Sequence, residues 1–398
     1  MHLLTPRSLF CLALFACALI RSALAQEPPL KYITTIASSE LDGVVAMDIS
    51  KDGRHAYAAA FIGKTVCIFS RDALTGGLER IDAINNPALF NGLTAVRLSP
   101  DNRFAVGAAF RSKAAVLLTR DAKTGKLTLA DSHTHGGNNT KALLDFAIDA
   151  AWSPDSKFVY VIAPQSAAVT VFRITAKPAF EFVEAQQGEG NCFAGARGIA
   201  VSPDGKFVYI ASEGADTLSV LKRDANTGKV EVLEILKAGD NTADGLDGAF
   251  SVDVSPDGKF VYLSSGRFTG RDAITVFQKQ NDGKLKLVDE MFNFTEKLER
   301  FVGGNEITIS PDGKRVYAAA SRSDSLVVLD RDVKTGKLKQ TQFLVDQFQG
   351  VGAMLMPGGV TVSPDGQFIY VSAEGSDGIA IFQKPGPPKP AIAEKAKP

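Results

Sequence analysis

Apolar residues alternate with polar or small ones along short segments of this chain, and tight turns separate the segments. The pattern recurs around the tetrapeptide Ser-Pro-Asp-Gly or a near copy, which begins at Ser50, Ser99, Ser153, Ser202, Ser255, Ser310 and Ser363. The intervals between successive copies are 49, 54, 49, 53, 55 and 53 residues. A period of this length indicates a repeat architecture.

Each copy predicts four β-strands. The strand before the tetrapeptide alternates, as at Met47 and Ile49, and the Asp-Gly pair predicts a hairpin turn because glycine accepts a positive φ. The second strand carries a tyrosine at one fixed place, except in the second copy, which has Val106 there. A β-branched and aromatic third strand, a Thr-Gly-type turn and a fourth strand complete the unit. This pattern predicts an all-β, seven-bladed β-propeller of four-stranded antiparallel blades.

The two ends of the repeat region complement each other. The seventh copy ends after its third strand, at residues 379–382, and residues 30–36 precede the first copy as an unpaired strand. We therefore expect the N-terminal strand to complete the last blade and to remove an exposed sheet edge. A sandwich or two stacked barrels is the alternative; the near-equal spacing and the complementary ends argue against it.

The N-terminal segment predicts export. Arg7 precedes an apolar run over residues 9–20, and Ala23-Leu24-Ala25 forms a small-x-small cleavage site, so residues 1–25 are predicted to be a signal peptide. The run has 12 residues, fewer than the ~18–20 that cross a bilayer, which argues against a membrane anchor. A lipoprotein modified at Cys17 is the other alternative. The mature protein is expected in the periplasm or outside the cell.

The propeller is predicted to cover residues 26–385, and the Pro-, Ala- and Lys-rich residues 386–398 to form a disordered tail. Without its first 25 residues the chain has 42 basic and 44 acidic residues, so it lacks the positive charge that nucleic acids and anionic lipids attract. Cys67 and Cys192 lie two repeats apart and are not expected to form a disulfide. We expect a monomer that binds no nucleic acid and does not span a membrane.

Two equivalent positions in each blade are expected to face the mouth of the central channel, on the side of the long, variable connections. The first, five residues before the repeat serine, is occupied by Val45, Thr94, Ile148, Arg197, Phe250, Asn305 and Gly358. The second, eleven residues after it, is occupied by Phe61, Phe110, Pro164, Glu213, Gly266, Ser321 and Glu374.

Charged and polar residues at these positions form the predicted site. Arg197 and Glu213 stand together in the fourth blade, and Glu374 and Asn305 are the predicted substrate-binding residues across the ring. A buried Arg–Glu pair can hold an anionic ligand and supply an acid or a base. The alternative is an ion pair that only closes the channel. In the channel strands, Asp48 and Arg97 occupy the same register in adjacent blades and are expected to neutralise each other.

Histidine is scarce in the mature chain. His133 and His135 form an H-x-H pair in the crossover after the second blade, and we name both as candidate substrate-binding residues. The alternative for this pair is a metal site with Asp131 or Asp145, which lacks a clear third ligand. His55 follows a regular turn and is expected to be exposed.

The repeat from Ser202 to Leu221 resembles the seven-bladed lactonase family, which includes bacterial 6-phosphogluconolactonases and fungal carboxymuconate cyclases; YVTN-type surface propellers share the pattern. That family places an arginine on the first strand of a blade, typically as Pro-Arg-His, and a glutamate in the next mouth loop. Ala196-Arg197-Gly198 and Glu213 match this spacing. The resemblance implies that Arg197 binds an acidic group, that Glu213 takes part in proton transfer, and that Arg267 corresponds to a further catalytic arginine.

Two histidines of the family pattern are absent: Gly198 stands in the place of one, and Ile148-Asp149 in the place of the other. Two functions therefore stand as alternatives. The first is an exported hydrolase or isomerase that acts on a lactone or sugar acid at the channel mouth and needs no cofactor or metal. The second is a non-catalytic propeller that binds a protein or surface partner through its variable loops.

Overall fold

The structure is a computed structural model that describes residues 29–137, 140–240, 243–266, 271–348 and 350–385. The predicted signal peptide (1–25) and tail (386–398) lie outside these residues. Within them the chain forms seven four-stranded antiparallel sheets, which confirms the predicted propeller. None of the helices in the described ranges is long and apolar enough to cross a membrane.

The strands follow one another in chain order. The described chain begins with β1 (Lys31–Ala37). Blade one contains β2 (Val44–Ile49), β3 (His55–Ala60), β4 (Thr65–Arg71) and β5 (Leu78–Asn85). Blade two contains β6 (Leu93–Leu98), β7 (Phe104–Ala109), β8 (Ala114–Arg120) and β9 (Leu127–Thr134). Blade three contains β10 (Asp149–Trp152), β11 (Phe158–Ala163), β12 (Ala168–Ile174) and β13 (Phe180–Gln187).

The remaining blades repeat this order. Blade four contains β14 (Ala196–Val201), β15 (Phe207–Ser212), β16 (Thr217–Arg223) and β17 (Val230–Lys237). Blade five contains β18 (Ala249–Val254), β19 (Phe260–Ser265), β20 (Ala273–Lys279) and β21 (Leu285–Phe292). Blade six contains β22 (Gly304–Ile309), β23 (Arg315–Ala320), β24 (Ser325–Arg331) and β25 (Leu338–Val345). Blade seven contains β26 (Pro357–Val362), β27 (Phe368–Ala373) and β28 (Gly378–Gln383). Short 3₁₀ turns lie at Ser39–Leu41, Glu189–Asn191, Asp244–Leu246 and Glu374–Ser376.

The N-terminal strand closes the ring, as the sequence predicts. β1 pairs antiparallel with β28 and becomes the outermost strand of blade seven. Tyr32 lies opposite Phe382, and their rings meet edge to face with centroids 5.7 Å apart. Because the two chain ends share one sheet, the last blade has the same four strands as the others.

The second strand of each blade is buried between neighbouring blades. β3 and β11 are buried over all six of their residues, whereas the outermost strand β5 is largely exposed or half-buried. Both faces of an inner strand are covered, so such strands are nearly continuous apolar runs rather than alternating ones. The hydrophobic clusters accordingly combine residues of adjacent blades, such as Tyr57 with Val96 and Val116.

An arginine–tyrosine hydrogen bond joins several neighbouring blades on the face of the short turns. Arg120 of blade two donates its Nε–H to the Tyr57 hydroxyl of blade one at 2.7 Å, and that hydroxyl donates to the Gly125 carbonyl at 2.8 Å. The equivalent pairs at other interfaces are Arg71–Tyr370, Arg223–Tyr160 and Arg331–Tyr262. Between blades two and three, Val106 and Ile174 take the two places and pack in one apolar cluster. The missing tyrosine of the second repeat therefore has a matching change in the next blade.

The interface between blades four and five has a lysine instead of the arginine. Lys279 Nζ lies 3.0 Å from Asp204 Oδ2. The buried Tyr209 hydroxyl has no hydrogen-bond partner in the described part of the chain. The shorter reach and single charged group of lysine leave this hydroxyl unpaired, whereas a guanidinium has several donors in a fixed geometry.

His55 is buried, with 6% of its surface exposed, so the expectation that it is exposed is wrong. It takes the place that Phe104 and Phe158 occupy in the next two blades, and Arg120 Nη2 lies 2.9 Å from its Nδ1. Burial, followed by the positive charge of Arg120, lowers the pKa of His55. The ring is therefore held neutral, as the acceptor of an arginine N–H.

Candidate active site at the channel mouth

A cavity of about 240 Å³ opens at the centre of the ring, on the face of the long connections. Every blade contributes to its wall, because the seven residues at the first mouth-facing position all border it: Val45, Thr94, Ile148, Arg197, Phe250, Asn305 and Gly358. From the second position, Phe61, Phe110 and Glu374 also border it. The repeat thus places equivalent positions of different blades around one cavity.

A β-bulge directs most of these first-position side chains. In β2 the register shifts between Val44 and Ala46, so Val45 is the extra residue opposite β3. Equivalent shifts contain Thr94, Arg197, Phe250, Asn305 and Gly358. A bulge bends its strand and changes the direction of the extra side chain. In blade three, Ile148 directly precedes β10.

Arg197 borders the cavity and forms an ion pair with Glu213, which lies behind it and is not among the residues that line the cavity. Arg197 Nε donates to Glu213 Oε2 at 2.7 Å, with 25% of the arginine side chain and 11% of the glutamate side chain exposed. The Arg197 guanidinium also lies 5.8 Å from the centroid of the Phe250 ring. The glutamate thus fixes the orientation of an arginine that faces the cavity, and a charge-assisted bond this short is among the stronger polar contacts in proteins.

Close packing between blades four and five explains why position 198 is a glycine in this chain. A Cβ at this position would lie 2.7 Å from the Phe250 carbonyl oxygen and 2.9 Å from Ser251 Cα, both in the backbone of blade five. Any larger residue would push the innermost strands of blades four and five apart. Glycine at position 198 therefore allows the backbones of these two blades to lie in contact.

Arg97 closes the lower end of the cavity. Its Nε lies 3.1 Å from Asp149 Oδ1 and its Nη1 lies 3.0 Å from Glu306 Oε1, so it joins blades two, three and six across the channel. Arg97 and Asp48 do not form the direct ion pair that their shared register suggests, although the positive charge of Arg97 opposes the rise that burial causes in the pKa of Asp48. The carboxylate of Asp48 accepts backbone N–H groups of Ile49 and Leu98, each at 2.7 Å. Arg97 is thus paired with Asp149 and Glu306, the carboxylates of blades three and six.

The sequence places Arg97, Asp149 and Glu306 among the charges of the channel strands, but it does not predict that they form one ion-paired floor bordering the cavity. A signal was present in the repeat. Asp149 and Glu306 stand four residues before the repeat serine, where blades one and four have Ala46 and Gly198. Charged residues at a position otherwise held by small ones mark the channel interior.

Buried carboxyl groups line the channel. Burial raises the pKa of Glu306 and of Asp48. Burial raises the pKa of Asp253 to about 6, with a smaller contribution from the negative charge of Glu306. Backbone N–H groups of Val254 and Ile309 donate to Asp253 and oppose this rise.

The other predicted site residues divide into two groups. Asn305 and Glu374 border the cavity, and the Asn305 side-chain amide also donates to the Pro357 carbonyl at 3.4 Å. Glu374 opens a 3₁₀ turn on the mouth face. Arg267, named as a catalytic residue from the resemblance, lies outside the described residues.

The structure does not bring His133 and His135 to the cavity. His133 lies on β9, the outermost strand of blade two, and its ring packs against Phe172 and Phe180 at 5.2 and 6.0 Å between centroids. His135 Nδ1 accepts the backbone N–H of Leu144 at 3.2 Å. Neither histidine borders the cavity. In the described ranges, no group of three or more His, Cys, Asp or Glu side chains is arranged to hold a metal ion.

A sequence profile of the family described as "Lactonase, 7-bladed beta-propeller" matches residues 149–355, which is more than half of the chain. The chain belongs to this lactonase family. The matched region covers blades three to six and includes both Arg197 and Glu213. The lactonase resemblance expected from the repeat is thereby confirmed.

Relatives and solved structures resemble this lactonase-family chain to different extents. A 6-phosphogluconolactonase of Formosa agariphila is 34% identical over 90 residues, which are 22% of this chain and 24% of that protein. The matched segments of two proteins from Lactococcus lactis are also short, at 36% of the length of each. A putative 6-phosphogluconolactonase from Bacteroides uniformis has a TM-score of 0.65 at 21% identity, covering 82% of this chain and 89% of that one.

The periplasmic gluconolactonase of Pseudomonas aeruginosa has a TM-score of 0.62 at 22% identity, covering 77% of this chain and 85% of that chain. Identities this low establish the fold, and the fold alone does not determine a reaction. The reaction has to be argued from the residues of the cavity.

Proposed function

We propose that this protein hydrolyses a lactone in the central cavity. The observation that carries the proposal is Arg197, which a β-bulge directs into the cavity and which Glu213 holds at 2.7 Å. A guanidinium beside a carboxylate provides a hydrogen-bond donor for a carbonyl oxygen and a proton acceptor for water. The family and the lactonase names of its relatives agree with this chemistry.

In the proposed reaction, Arg197 donates N–H groups to the lactone carbonyl oxygen. Glu213 takes a proton from a water molecule as the water oxygen bonds to the carbonyl carbon. Arg197 then stabilises the oxyanion of the tetrahedral intermediate. The ring C–O bond breaks, and the ring oxygen receives the proton from Glu213, which gives an open-chain hydroxy acid.

Acid release measured by pH-stat titration tests this proposal. Purified mature protein is titrated against a panel of five- and six-membered lactones, beside the variants Arg197→Ala and Glu213→Gln. General acid–base catalysis contributes about 10²–10⁴-fold, so Glu213→Gln is expected to lower kcat at least about 100-fold. Both variants should retain the wild-type circular dichroism spectrum.

A matched control is Glu181→Gln. Glu181 also pairs with an arginine, Arg173, at 3.8 Å, but both side chains are exposed on the outer part of blade three. This variant should hydrolyse lactones at the wild-type rate. Equal rates for Glu213→Gln and Glu181→Gln, or no acid release above the spontaneous rate, would contradict the proposed reaction.

We propose further that the protein acts after export. The apolar run at residues 9–20 and the Ala23-Leu24-Ala25 site support this, and the relative from P. aeruginosa is described as periplasmic. Cell fractionation and N-terminal sequencing test it. A mature N-terminus at Gln26 in the periplasm or medium is expected, and a cytoplasmic protein beginning at Met1 would contradict it.

A protein-binding role is the second candidate. The crossover from blade six to blade seven exposes 56% of Phe348 and 44% of Met356 on the mouth face, and exposed apolar groups favour partner binding. In that case no lactone of the panel is hydrolysed. A partner retained from the native host by the wild type should then be lost on Phe348→Ser.

A further inference from the structure

The cavity wall differs between the two sides of the ring. At the mouth-facing positions, blades one to three present almost only apolar residues, namely Val45, Phe61, Thr94, Phe110 and Ile148. Blades four to seven present the polar and charged groups Arg197, Asn305 and Glu374, together with Gly358 and one aromatic ring, Phe250, which lies against the Arg197 guanidinium. Because these positions are equivalent in the repeat, the difference is a property of the side chains and not of the backbone.

The apolar side is held in place by aromatic contacts. The Phe110 ring stacks on Phe146 with centroids 4.3 Å apart and planes 19° apart. The Arg111 guanidinium lies 4.7 Å from the centroid of Phe61. Phe61 and Phe110 are both partly exposed and border the cavity. Two supported rings thus offer an apolar surface to a ligand.

The charges of the wall do not favour a strongly anionic ligand. Among the described residues that border the cavity, the guanidiniums belong to Arg97 and Arg197, and the carboxylates belong to Asp149, Glu306 and Glu374. Both arginines already hold carboxylates, at 2.7 to 3.1 Å. A phosphate dianion would have to approach these carboxylates at short range, which costs free energy in a partly buried site.

We propose that the substrate is a neutral lactone with an alkyl or aryl substituent. The substituent packs on Phe61 and Phe110, and the carbonyl group points to Arg197 on the opposite side. This inference rests on the proposed function, since it names the substrate class of the same site. It distinguishes this protein from one that acts on a polyhydroxylated or phosphorylated sugar lactone.

The test compares hydrolysis of δ-valerolactone, its 5-alkyl derivatives, dihydrocoumarin and glucono-δ-lactone by pH-stat. Burial of one methylene against apolar side chains corresponds to about a fourfold change in an equilibrium or rate ratio. We therefore expect kcat/KM to rise about fourfold per added methylene until the cavity is filled. A preference for glucono-δ-lactone over every alkyl and aryl lactone would overturn the inference.

Variants locate the effect. Phe110→Ala and Phe61→Ala should remove most of the rise in kcat/KM with alkyl chain length. Phe110→Leu, which retains an apolar side chain, should keep part of that rise, and it replaces Phe110→Ala in the test if the alanine variant is poorly folded. Phe294→Ala is the matched control, because Phe294 is 84% exposed and does not border the cavity. An unchanged gain in Phe110→Ala and Phe61→Ala would overturn the assigned aromatic surface.

A binding measurement separates this inference from the proposed reaction. The lactams 3,4-dihydroquinolin-2-one and 2-piperidone differ by one fused benzene ring and cannot be hydrolysed under these conditions. Calorimetry should show tighter binding of the bicyclic lactam to the wild type, and loss of that difference in Phe110→Ala. This result without any lactone hydrolysis would support the ligand class and refute the reaction. Hydrolysis of glucono-δ-lactone with equal binding of both lactams would support the reaction and refute the ligand class.

Discussion

Lys279→Arg is predicted to stabilise the protein by pairing the Tyr209 hydroxyl. At the interface between blades five and six, Arg331 donates its Nε–H to the Tyr262 hydroxyl at 2.5 Å, and its Nη2 lies 3.5 Å from Asp257 Oδ2. Lys279 already lies 3.0 Å from Asp204, which is the residue equivalent to Asp257. An arginine at 279 can follow the same path and bring an N–H to the unpaired hydroxyl.

The expected gain follows from the unpaired group. A buried polar group without a partner costs about 1–3 kcal/mol, and a hydrogen bond from a charged donor contributes about 1.5–3 kcal/mol. Lysine and arginine lose similar side-chain entropy, so that term nearly cancels. We therefore expect the free energy of unfolding to rise by about 1–2 kcal/mol. In a chain of this size the shift in Tm is only a few degrees, so denaturant titration is the better measurement.

The assay is urea unfolding followed by the fluorescence of Trp152, the single tryptophan of the chain. Wild type, Lys279→Arg, Tyr209→Phe and the double variant form a double-mutant cycle. The gain should be present with Tyr209 and absent with phenylalanine at this position, and the exposed Lys284→Arg should have no effect. An equal gain in both backgrounds, or a loss of stability in Lys279→Arg, would refute this explanation of the blade interface.

Three further changes test other parts of the molecule. His55→Phe should remove a loss of stability that the wild type shows as the pH falls below about 6.5, because a lowered pKa means that the unfolded state binds the proton first; urea midpoints from pH 7.5 to 5 measure this, and parallel curves would contradict it. Gly198→Ala should lower the unfolding free energy by about 1–3 kcal/mol, since its Cβ would meet the Phe250 carbonyl at 2.7 Å; an unchanged midpoint would contradict the close blade contact. Arg97→Gln should lower the free energy of unfolding by a few kcal/mol at pH 7.5, because it leaves buried carboxylates unpaired. The loss should be smaller at pH 5, where Glu306, with its raised pKa, takes up a proton more readily; an equal loss at both pH values would argue against a charge effect.

Local sequence patterns were sufficient to predict the fold because the same strand and turn pattern occurs seven times along the chain. The Asp-Gly turns, the fixed tyrosine and the incomplete last copy each predict a feature that the structure contains, including the pairing of β1 with β28. The mouth-facing first positions were also predictable, since the bulge that directs them lies at a constant distance from the turn.

Contacts between distant blades were not predictable in the same way. Arg97 is adjacent in register to Asp48, but the closed ring brings Glu306 of blade six to 3.0 Å from it across the channel. His133 was expected near the mouth because its crossover is long, yet β9 extends to Thr134 and keeps this ring in the packing between blades two and three. Such contacts depend on how the ring closes and on the residue at which a strand ends, and the local sequence pattern predicts neither.

The boundary of the region that matches the family profile nearly coincides with the boundary between the polar and the apolar side of the cavity. Arg197, Glu213 and Asn305 lie within residues 149–355, which match the lactonase profile, whereas Phe61, Phe110 and Ile148 precede that region. The groups proposed to act on the carbonyl are therefore in the part of the chain that follows the family most closely. The groups proposed to select the substituent are outside it. Since both sets sit on the same repeated backbone positions, a change of side chains in blades one to three can alter the preferred lactone without moving the Arg197–Glu213 pair.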